Sequence, residues 1–189
     1  QGTHSIPGMA ALESADAVVV YVRRLGLPAA QVEALQHYVA CGKPLIALRT
    51  ASHAFKLNFK DPKGFTVPAG QAEWVEFDRD ILGGSYHNHG PNDAGTEVKN
   101  MTPDHPLLKD VSPTEWHSTG SLYFTHPIAE DATLLMTGST PDHTEPLTWI
   151  RDAAPGRGKV FYTGLGHPDD FKVPAFRQLL LNAIHWSLE

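Results

Sequence analysis

The sequence has little cysteine and no surplus of positive charge, and each shortage excludes a class of protein. Cys41 is the single cysteine, so an internal disulfide and a cysteine-based zinc cluster are both excluded. Asp and Glu number 21 against 15 Lys and Arg, and the formal net charge of −6 offers no attraction to a phosphate backbone or to anionic lipid. We therefore expect no nucleic-acid partner.

Long hydrophobic runs are also missing. The longest apolar stretches, such as residues 17–20 and 179–181, are far shorter than the ~20 residues that span a bilayer. This pattern predicts a soluble protein without a membrane partner. The sequence is compatible with a cytoplasmic and with a secreted or periplasmic location, because a single cysteine does not distinguish between them.

Apolar residues and histidine, in contrast, are plentiful. Hydrophobic residues make up 41% of the 189 residues and charged residues 19%, a balance typical of folded chains. A chain of this length usually forms one domain, so we expect residues 1–189 to form a single α/β domain. The 11 histidines, several of them beside Gly or Pro, indicate an acid/base or metal site.

The first part of the chain predicts a strand, a helix and a second strand. Residues 17–22 form a continuous, largely β-branched run that is typical of a buried strand, and residues 45–48 form another apolar run. Between them, residues 28–41 carry apolar side chains at helical spacing, and Gly42 provides the stop. Short connections of this kind favour a parallel pair with a right-handed crossover.

Further elements follow from local patterns along the rest of the chain. Residues 155–158 form a turn that predicts a hairpin between its two flanking strands. Residues 56–72 have weak periodicity and predict a surface excursion. The other predicted elements are a short helix at 74–82, strands at 96–99, 122–124, 133–136, 147–151 and 159–162, a helical stub at 104–108, and a terminal amphipathic helix at 174–187.

Three polar segments, residues 49–55, 86–92 and 164–170, stand out because functional side chains of an open α/β sheet gather beyond the carboxyl ends of its strands. Residues 49–55 directly follow the predicted strand at 45–48. We expect all three segments to meet at one rim of the sheet.

The same segments carry a family resemblance. The stretches CGKPLIALRTASHAF (41–55), ILGGSYHNHG (81–90) and GKVFYTGLGHPDDFKVPAFRQLLLNAIH (158–185) resemble, in order and spacing, the ThuA-like family. This family is named for trehalose utilisation and belongs to the class I glutamine amidotransferase-like superfamily. The resemblance implies a flavodoxin-like three-layer sandwich with a mostly parallel sheet, and a small carbohydrate-like ligand.

The chain departs from the family pattern at its beginning. Members usually start with a strand and a helix before the segment equivalent to residues 6–22, whereas this sequence opens with Gln1-Gly2-Thr3-His4. The domain is therefore short at its N-terminal side, and the usual first strand is expected to be missing. An unpaired sheet edge would favour self-association, so a homodimer is one expectation.

The resemblance also allows the amidotransferase reaction to be excluded. In those relatives a cysteine occupies the tight turn after the strand equivalent to residues 45–48, but this turn reads Arg49-Thr50-Ala51-Ser52 here. Cys41 precedes the strand, so it lies at the end opposite to the turn where the catalytic cysteine of the relatives is found. A serine hydrolase based on Ser52 and His53 is also disfavoured, because no G-x-S-x-G motif is present.

Histidine acid/base chemistry is the preferred hypothesis, because imidazole exchanges protons near neutral pH. Arg49 either polarises a substrate carbonyl or forms a structural ion pair, and Asp169 either orients His167 or caps a helix. The predicted catalytic residues are His53, His89, His167 and Arg49, and the predicted substrate-binding residues are Tyr86, Asn88 and Asp169.

A divalent metal such as zinc is the second hypothesis for the same side chains. His53, His87 and His89 would be its ligands, and water would take the open position. The leading interpretation is an enzyme, a hydrolase or an isomerase or lyase without a cysteine nucleophile, that acts on a sugar or keto-sugar derivative. The alternatives are a non-catalytic carbohydrate-binding or sensing domain and a metal-dependent hydrolase.

Overall fold

The computed structural model of the chain describes residues 2–57, 67 and 69–189. Two α-helices within this part are α1 (Ala29–Ala40) and α2 (Pro174–Leu188). Its strands are β1 (Gly2–Thr3), β2 (Val18–Val20), β3 (Leu25–Pro28), β4 (Leu45–Leu48), β5 (Gln71–Ala72), β6 (Asn88–His89), β7 (Thr96–Asn100), β8 (Glu115–Ser118), β9 (Tyr123–Phe124), β10 (Ala132–Thr140), β11 (His143–Arg151) and β12 (Val160–Thr163). Short 3-10 helices cover Met9–Glu13, Arg49–His53, Pro106–Leu108 and Asp170–Lys172, and a π-helix covers Phe77–Leu82.

One seven-stranded sheet organises the described residues, in the order β2-β4-β12-β11-β10-β7-β8. At its core β2, β4 and β12 run parallel, whereas β11, β10, β7 and β8 extend it by antiparallel pairing. Small sheets pair β1-β3-β5 and β6-β9. The predicted α/β, flavodoxin-like fold with a parallel core is confirmed.

Helices cover the two faces of the sheet, which gives three layers. Along β4 successive side chains alternate between faces. Leu45 and Ala47 pack in the cluster that contains the buried side of α1, and Ile46 and Leu48 pack in the cluster that contains the buried side of α2. The largest fully buried side chains are Trp149, Tyr162, Phe77, Phe161 and Phe176.

The predicted strand–helix–strand unit is present with nearly the expected bounds. The helix α1 begins after Pro28, and Gly42 follows it with a left-handed φ of 74°, which a residue with a Cβ adopts at a cost. Its buried residues are the four apolar ones whose spacing predicted it, Val32, Leu35, Tyr38 and Val39.

The prediction that residues 17–22 form a buried strand is wrong in one respect. The strand exists as β2, but Val19 is 54% exposed and Tyr21 is 42% exposed. The reason is position, since β2 lies at the edge of the sheet and its outer side pairs with no strand among the residues that the structure describes. A continuous apolar run does not distinguish an edge strand from a central one.

Other predicted elements agree in place but differ in extent. The strands β10 and β11 pair over 132–140 and 143–151 as one long hairpin, of which the sequence pattern predicts only the parts distant from the turn, 133–136 and 147–151. The predicted hairpin around 155–158 is confirmed by the β11–β12 pairing. The predicted helix at 74–82 is shorter, a π-helix over Phe77–Leu82. Most of the predicted excursion at 56–72 lies outside the described residues.

None of the helices in the described part of the chain is long and apolar enough to cross a membrane.

Trp149 connects the sheet to the π-helix, and its replacement tests that packing. The buried ring packs 4.3 Å from the ring of Tyr162 and donates from Nε1 to the Leu82 carbonyl at 2.7 Å. We expect Trp149→Phe to lower the free energy of unfolding by about 1–3 kcal/mol, because it leaves a void and a buried carbonyl without a donor. Urea denaturation measures this.

Thr144→Ala on the same strand is the control, because Thr144 is exposed. We expect it to change the free energy of unfolding by less than about 0.5 kcal/mol. Equal effects of the two substitutions would contradict the proposed packing.

Candidate functional site

The site is built around the turn that follows β4. Arg49 begins this turn with a left-handed φ of 44°, a conformation that is unfavourable for a residue with a long side chain. Its carbonyl accepts hydrogen bonds from the Tyr162 hydroxyl at 3.0 Å and from the Ser52 hydroxyl at 3.1 Å. These bonds hold the strained backbone, and strain of this kind is concentrated at functional sites.

The guanidinium of Arg49 links three segments that are distant in sequence. Nη1 donates to the Gly164 carbonyl at 3.1 Å, and Nη2 donates to the Ser121 hydroxyl at 3.3 Å. The Cζ atom lies 4.5 Å from the centre of the Tyr123 ring, within the range of a cation–π contact. The guanidinium thus fixes the loops that contain Gly164 and Ser121 relative to the turn that follows β4.

Four rings gather on the same side of Arg49, and we call them the ring cluster: His53, Tyr86, His89 and Tyr123. The ring centres of His53 and Tyr86 are 4.3 Å apart, and those of Tyr86 and Tyr123 are 4.8 Å apart. His89 lies 6.3 Å from Tyr86 and 6.5 Å from Tyr123. The first two predicted polar segments therefore meet, as expected from the sequence.

His53 is the most buried histidine of the ring cluster, with 4% of its surface exposed. Burial is the main cause that lowers the pKa of His53 to about 3, and the positive charges of Arg24, Arg23, Arg49 and Lys56 add to it. The imidazole is therefore neutral near pH 7. Its buried Nδ1 atom has no hydrogen-bond partner among the described residues, which is unusual for a buried polar atom.

His167 lies close to Arg49, with Gly120 against both residues. A Cβ atom at Gly120 would stand 2.8 Å from Nη1 of Arg49 and 2.9 Å from Cβ of His167, so the absence of a side chain lets these residues approach. The Thr119 hydroxyl is 3.0 Å from Nδ1 of His167. The third polar segment thus reaches the same rim, next to Arg49 rather than next to the ring cluster.

Asp170 and Asp169 have different surroundings. The buried carboxylate of Asp170 accepts from the backbone N–H groups of Gly166 and His167, both at 2.8 Å, and from the Ser118 hydroxyl at 2.6 Å. It fixes the loop that carries His167. Asp169 is half-buried and accepts a hydrogen bond from Lys172 at 2.5 Å, and this contact lowers the pKa of Asp169. Its Oδ2 lies 3.7 Å from Nδ1 of His167, which is too long for a hydrogen bond.

The structure does not bring the three predicted zinc ligands together. His87 is exposed, and its Nε2 lies 2.9 Å from the carbonyl oxygen of His126, away from the ring cluster. Within the described residues there is no group of three or more His, Cys, Asp or Glu side chains that could hold a metal ion. Asn88, predicted to bind substrate, is exposed on β6 at the rim.

Comparison with known proteins is decisive for the family. The profile of ThuA, described as trehalose utilisation, matches residues 7–187. The chain belongs to the ThuA family. A comparison with curated proteins finds no significant match.

Solved structures agree with this membership. A protein described as ThuA-like from Bacteroides uniformis is 18% identical with a TM-score of 0.68, and the match covers 95% of this chain and 71% of that one. A second ThuA-like protein, from Parabacteroides merdae, is 17% identical with a TM-score of 0.63, and the match covers 94% of this chain and 71% of that one. A β-galactosidase from Bacillus circulans is 15% identical with a TM-score of 0.62 over 92% of this chain and 23% of that one. At these identities the likeness shows the fold alone.

In this member of the ThuA family the cysteine lies away from the site. Cys41 is exposed at the end of α1, before β4, whereas the Arg49 turn follows β4. Sequence patterns did not indicate the supporting hydroxyls of Thr119 and Ser121. The signal that could have found them is Gly120, a glycine within a polar stretch next to aromatic residues.

The neutrality of His53 is testable by pH titration. We expect the NMR signals of its ring to show no protonation between about pH 8 and about pH 5, because burial and nearby cations oppose the charged form. Comparison with His53→Gln identifies the signals. A midpoint near the ordinary value of 6.5 would contradict the buried position.

The lowered pKa of His53 also predicts that the free energy of unfolding depends on pH. The unfolded ring binds a proton near pH 6.5, whereas the folded ring does so only near pH 3, so the contribution of His53 to stability is lost as the pH falls between these values. We expect His53→Gln to reduce this slope, by at most about 1.4 kcal/mol per pH unit.

Proposed function

We propose that this ThuA-family protein is an enzyme that acts on a sugar or keto-sugar derivative by histidine acid/base chemistry. The observation that carries the proposal is the convergence of Arg49, the ring cluster and His167 at one rim of the sheet. A fixed positive charge beside a neutral, buried imidazole is a combination that suits proton transfer next to a carbonyl group.

The carbohydrate class is supported by the family, which is described by trehalose utilisation. The aromatic side chains agree with it, because a sugar ring presents C–H groups that pack against aromatic faces. Tyr86 and Tyr123 meet edge to face, with an interplanar angle of 67°. Tyr86 is the main proposed binding residue, and Asn88 and Asp169 at the rim are proposed to contact sugar hydroxyls.

Arg49 and His53 divide the first chemical step between them. The Arg49 guanidinium faces the carbonyl oxygen of a keto-sugar and stabilises the negative charge that develops there. His53 accepts the proton from the adjacent carbon or hydroxyl once the substrate reaches its Nδ1 atom, which is buried in the resting structure. Its low resting pKa would make it a weak base, but the developing negative charge beside it raises that pKa during the step.

A second histidine returns a proton to the substrate. His89 in the ring cluster and His167 next to Arg49 are the proposed donors. Return to a neighbouring carbon gives an isomerase, and delivery to a departing oxygen while a carbon–carbon double bond forms gives a lyase. Delivery to a departing oxygen that the hydroxyl of a water molecule replaces gives a hydrolase. The resting side chains alone do not distinguish these outcomes, so the reaction is assigned only to this group.

Turnover by site variants tests the proposal. We expect the protein to convert oxidised disaccharides, and His53→Gln to lower kcat by about 10²–10⁴-fold, because general base catalysis has this magnitude. Chromatography of the products measures turnover, and circular dichroism confirms that the variant is folded.

His185→Gln is the matched control, because His185 is exposed on α2. We expect it to keep the activity of the unmodified protein. Sugars that bind without any turnover would instead favour the non-catalytic sensing domain. A His53→Gln variant with full activity would rule out the proposed base.

A further inference from the structure

The positive charge of Arg49 has no carboxylate partner among the residues that the structure describes. Its two hydrogen bonds go to neutral acceptors, the Gly164 carbonyl and the Ser121 hydroxyl. Two buried arginines of the same sheet region differ in this respect. Arg151 and Arg157 both bind Asp131, at 2.8 and 3.0 Å.

The nearby acidic groups are occupied elsewhere. Asp170 accepts three hydrogen bonds from its own loop and from Ser118. Asp169 pairs with Lys172 at 2.5 Å. Asp78 pairs with Lys56 at 2.9 Å, so it offsets the charge of that lysine and not the charge of Arg49.

Further positive charge lies beside the ring cluster. The backbone N–H of Arg24 donates to the His53 carbonyl at 3.1 Å, which places the Arg23–Arg24 segment next to the buried imidazole. Burial lowers the pKa of His53 most, and the positive charges of Arg24, Arg23, Arg49 and Lys56 lower it further. The chain as a whole has a net charge of −6, so this positive region runs against the overall charge.

Donor groups remain available in this region. A guanidinium carries five N–H donors, and the described contacts of Arg49 use two of them. Its planar fork matches the geometry of a carboxylate. The buried Nδ1 of His53, which has no described partner, is a further polar atom in the same site.

We propose that the ligand is a sugar acid, whose carboxylate binds to the Arg49 guanidinium while its ring packs against Tyr86 and Tyr123. The sugar half of this inference rests on the proposed function, and the carboxylate half rests on the unpaired charge of Arg49. In this role Arg49 still faces the oxygens that gain negative charge when the neighbouring carbon loses its proton.

Matched probes test the inference by binding alone. Calorimetric titration compares the methyl glycosides of glucuronic, galacturonic and mannuronic acid with those of glucose, galactose and mannose, each pair differing only at C6. We expect at least one acid to bind about 10–100-fold more tightly than its neutral counterpart, the magnitude of a charge-assisted hydrogen bond.

Variants of Arg49 assign the preference to its side chain. Arg49→Gln should remove the preference for the acid, which is measured as the ratio of the affinities of the same variant for the acid glycoside and its neutral counterpart. Arg49→Lys keeps the positive charge but loses the planar arrangement of N–H donors, so it should retain a weakened preference for the acid. This variant replaces Arg49→Gln in the test if Arg49→Gln does not fold. Arg177→Gln on the exposed side of α2 is the control and should bind like the unmodified protein.

The outcomes separate this inference from the proposed function. Neutral glycosides that bind as tightly as the acids, or acids that show no binding, would overturn the sugar-acid inference, and turnover of neutral keto-sugars would still support the proposed function. Lactate that binds as tightly as the acid glycosides would support carboxylate recognition by Arg49 and overturn the assignment to carbohydrate.

Discussion

The contact between the Arg49 guanidinium and the Tyr123 ring is the interaction on which the site depends. It places a charged group from the parallel part of the sheet against an aromatic ring from a strand outside it, with 4.5 Å between Cζ and the ring centre. The hydrogen bonds of the same guanidinium to Gly164 and Ser121 fix two more loops. Without this contact the ring cluster and His167 would have no common support.

The fold explains why the position after β4 carries this role. The parallel strands β4 and β12 end side by side, so the Arg49 turn and the 164–170 loop meet directly. The antiparallel part of the sheet then adds residues that a purely parallel sheet would not supply, since Thr119 and Ser121 follow β8. The buried His53 lies behind this rim, where cations and burial keep it uncharged.

Sequence patterns could predict the part of the site whose position follows from the strand directly before it. The apolar run at 45–48 fixed the place of Arg49 and His53, because residues after a parallel strand lie at its carboxyl edge. Sequence patterns could not predict that a 3-10 turn buries His53, because tertiary packing determines where such short helices form. The pattern at 122–124 predicted a strand but not its partner, because β6 is only two residues long, and the contacts of Tyr123 and the outward position of His87 depend on this pairing.

A double-mutant cycle between Arg49 and Tyr123 tests the central claim most directly. The cycle compares the free energy of unfolding of Arg49→Met, Tyr123→Leu and the double variant with that of the unmodified protein. The account predicts a coupling energy of about 0.5–2 kcal/mol, the range for a partly desolvated cation–π contact. Additive effects, with a coupling near zero, would contradict it.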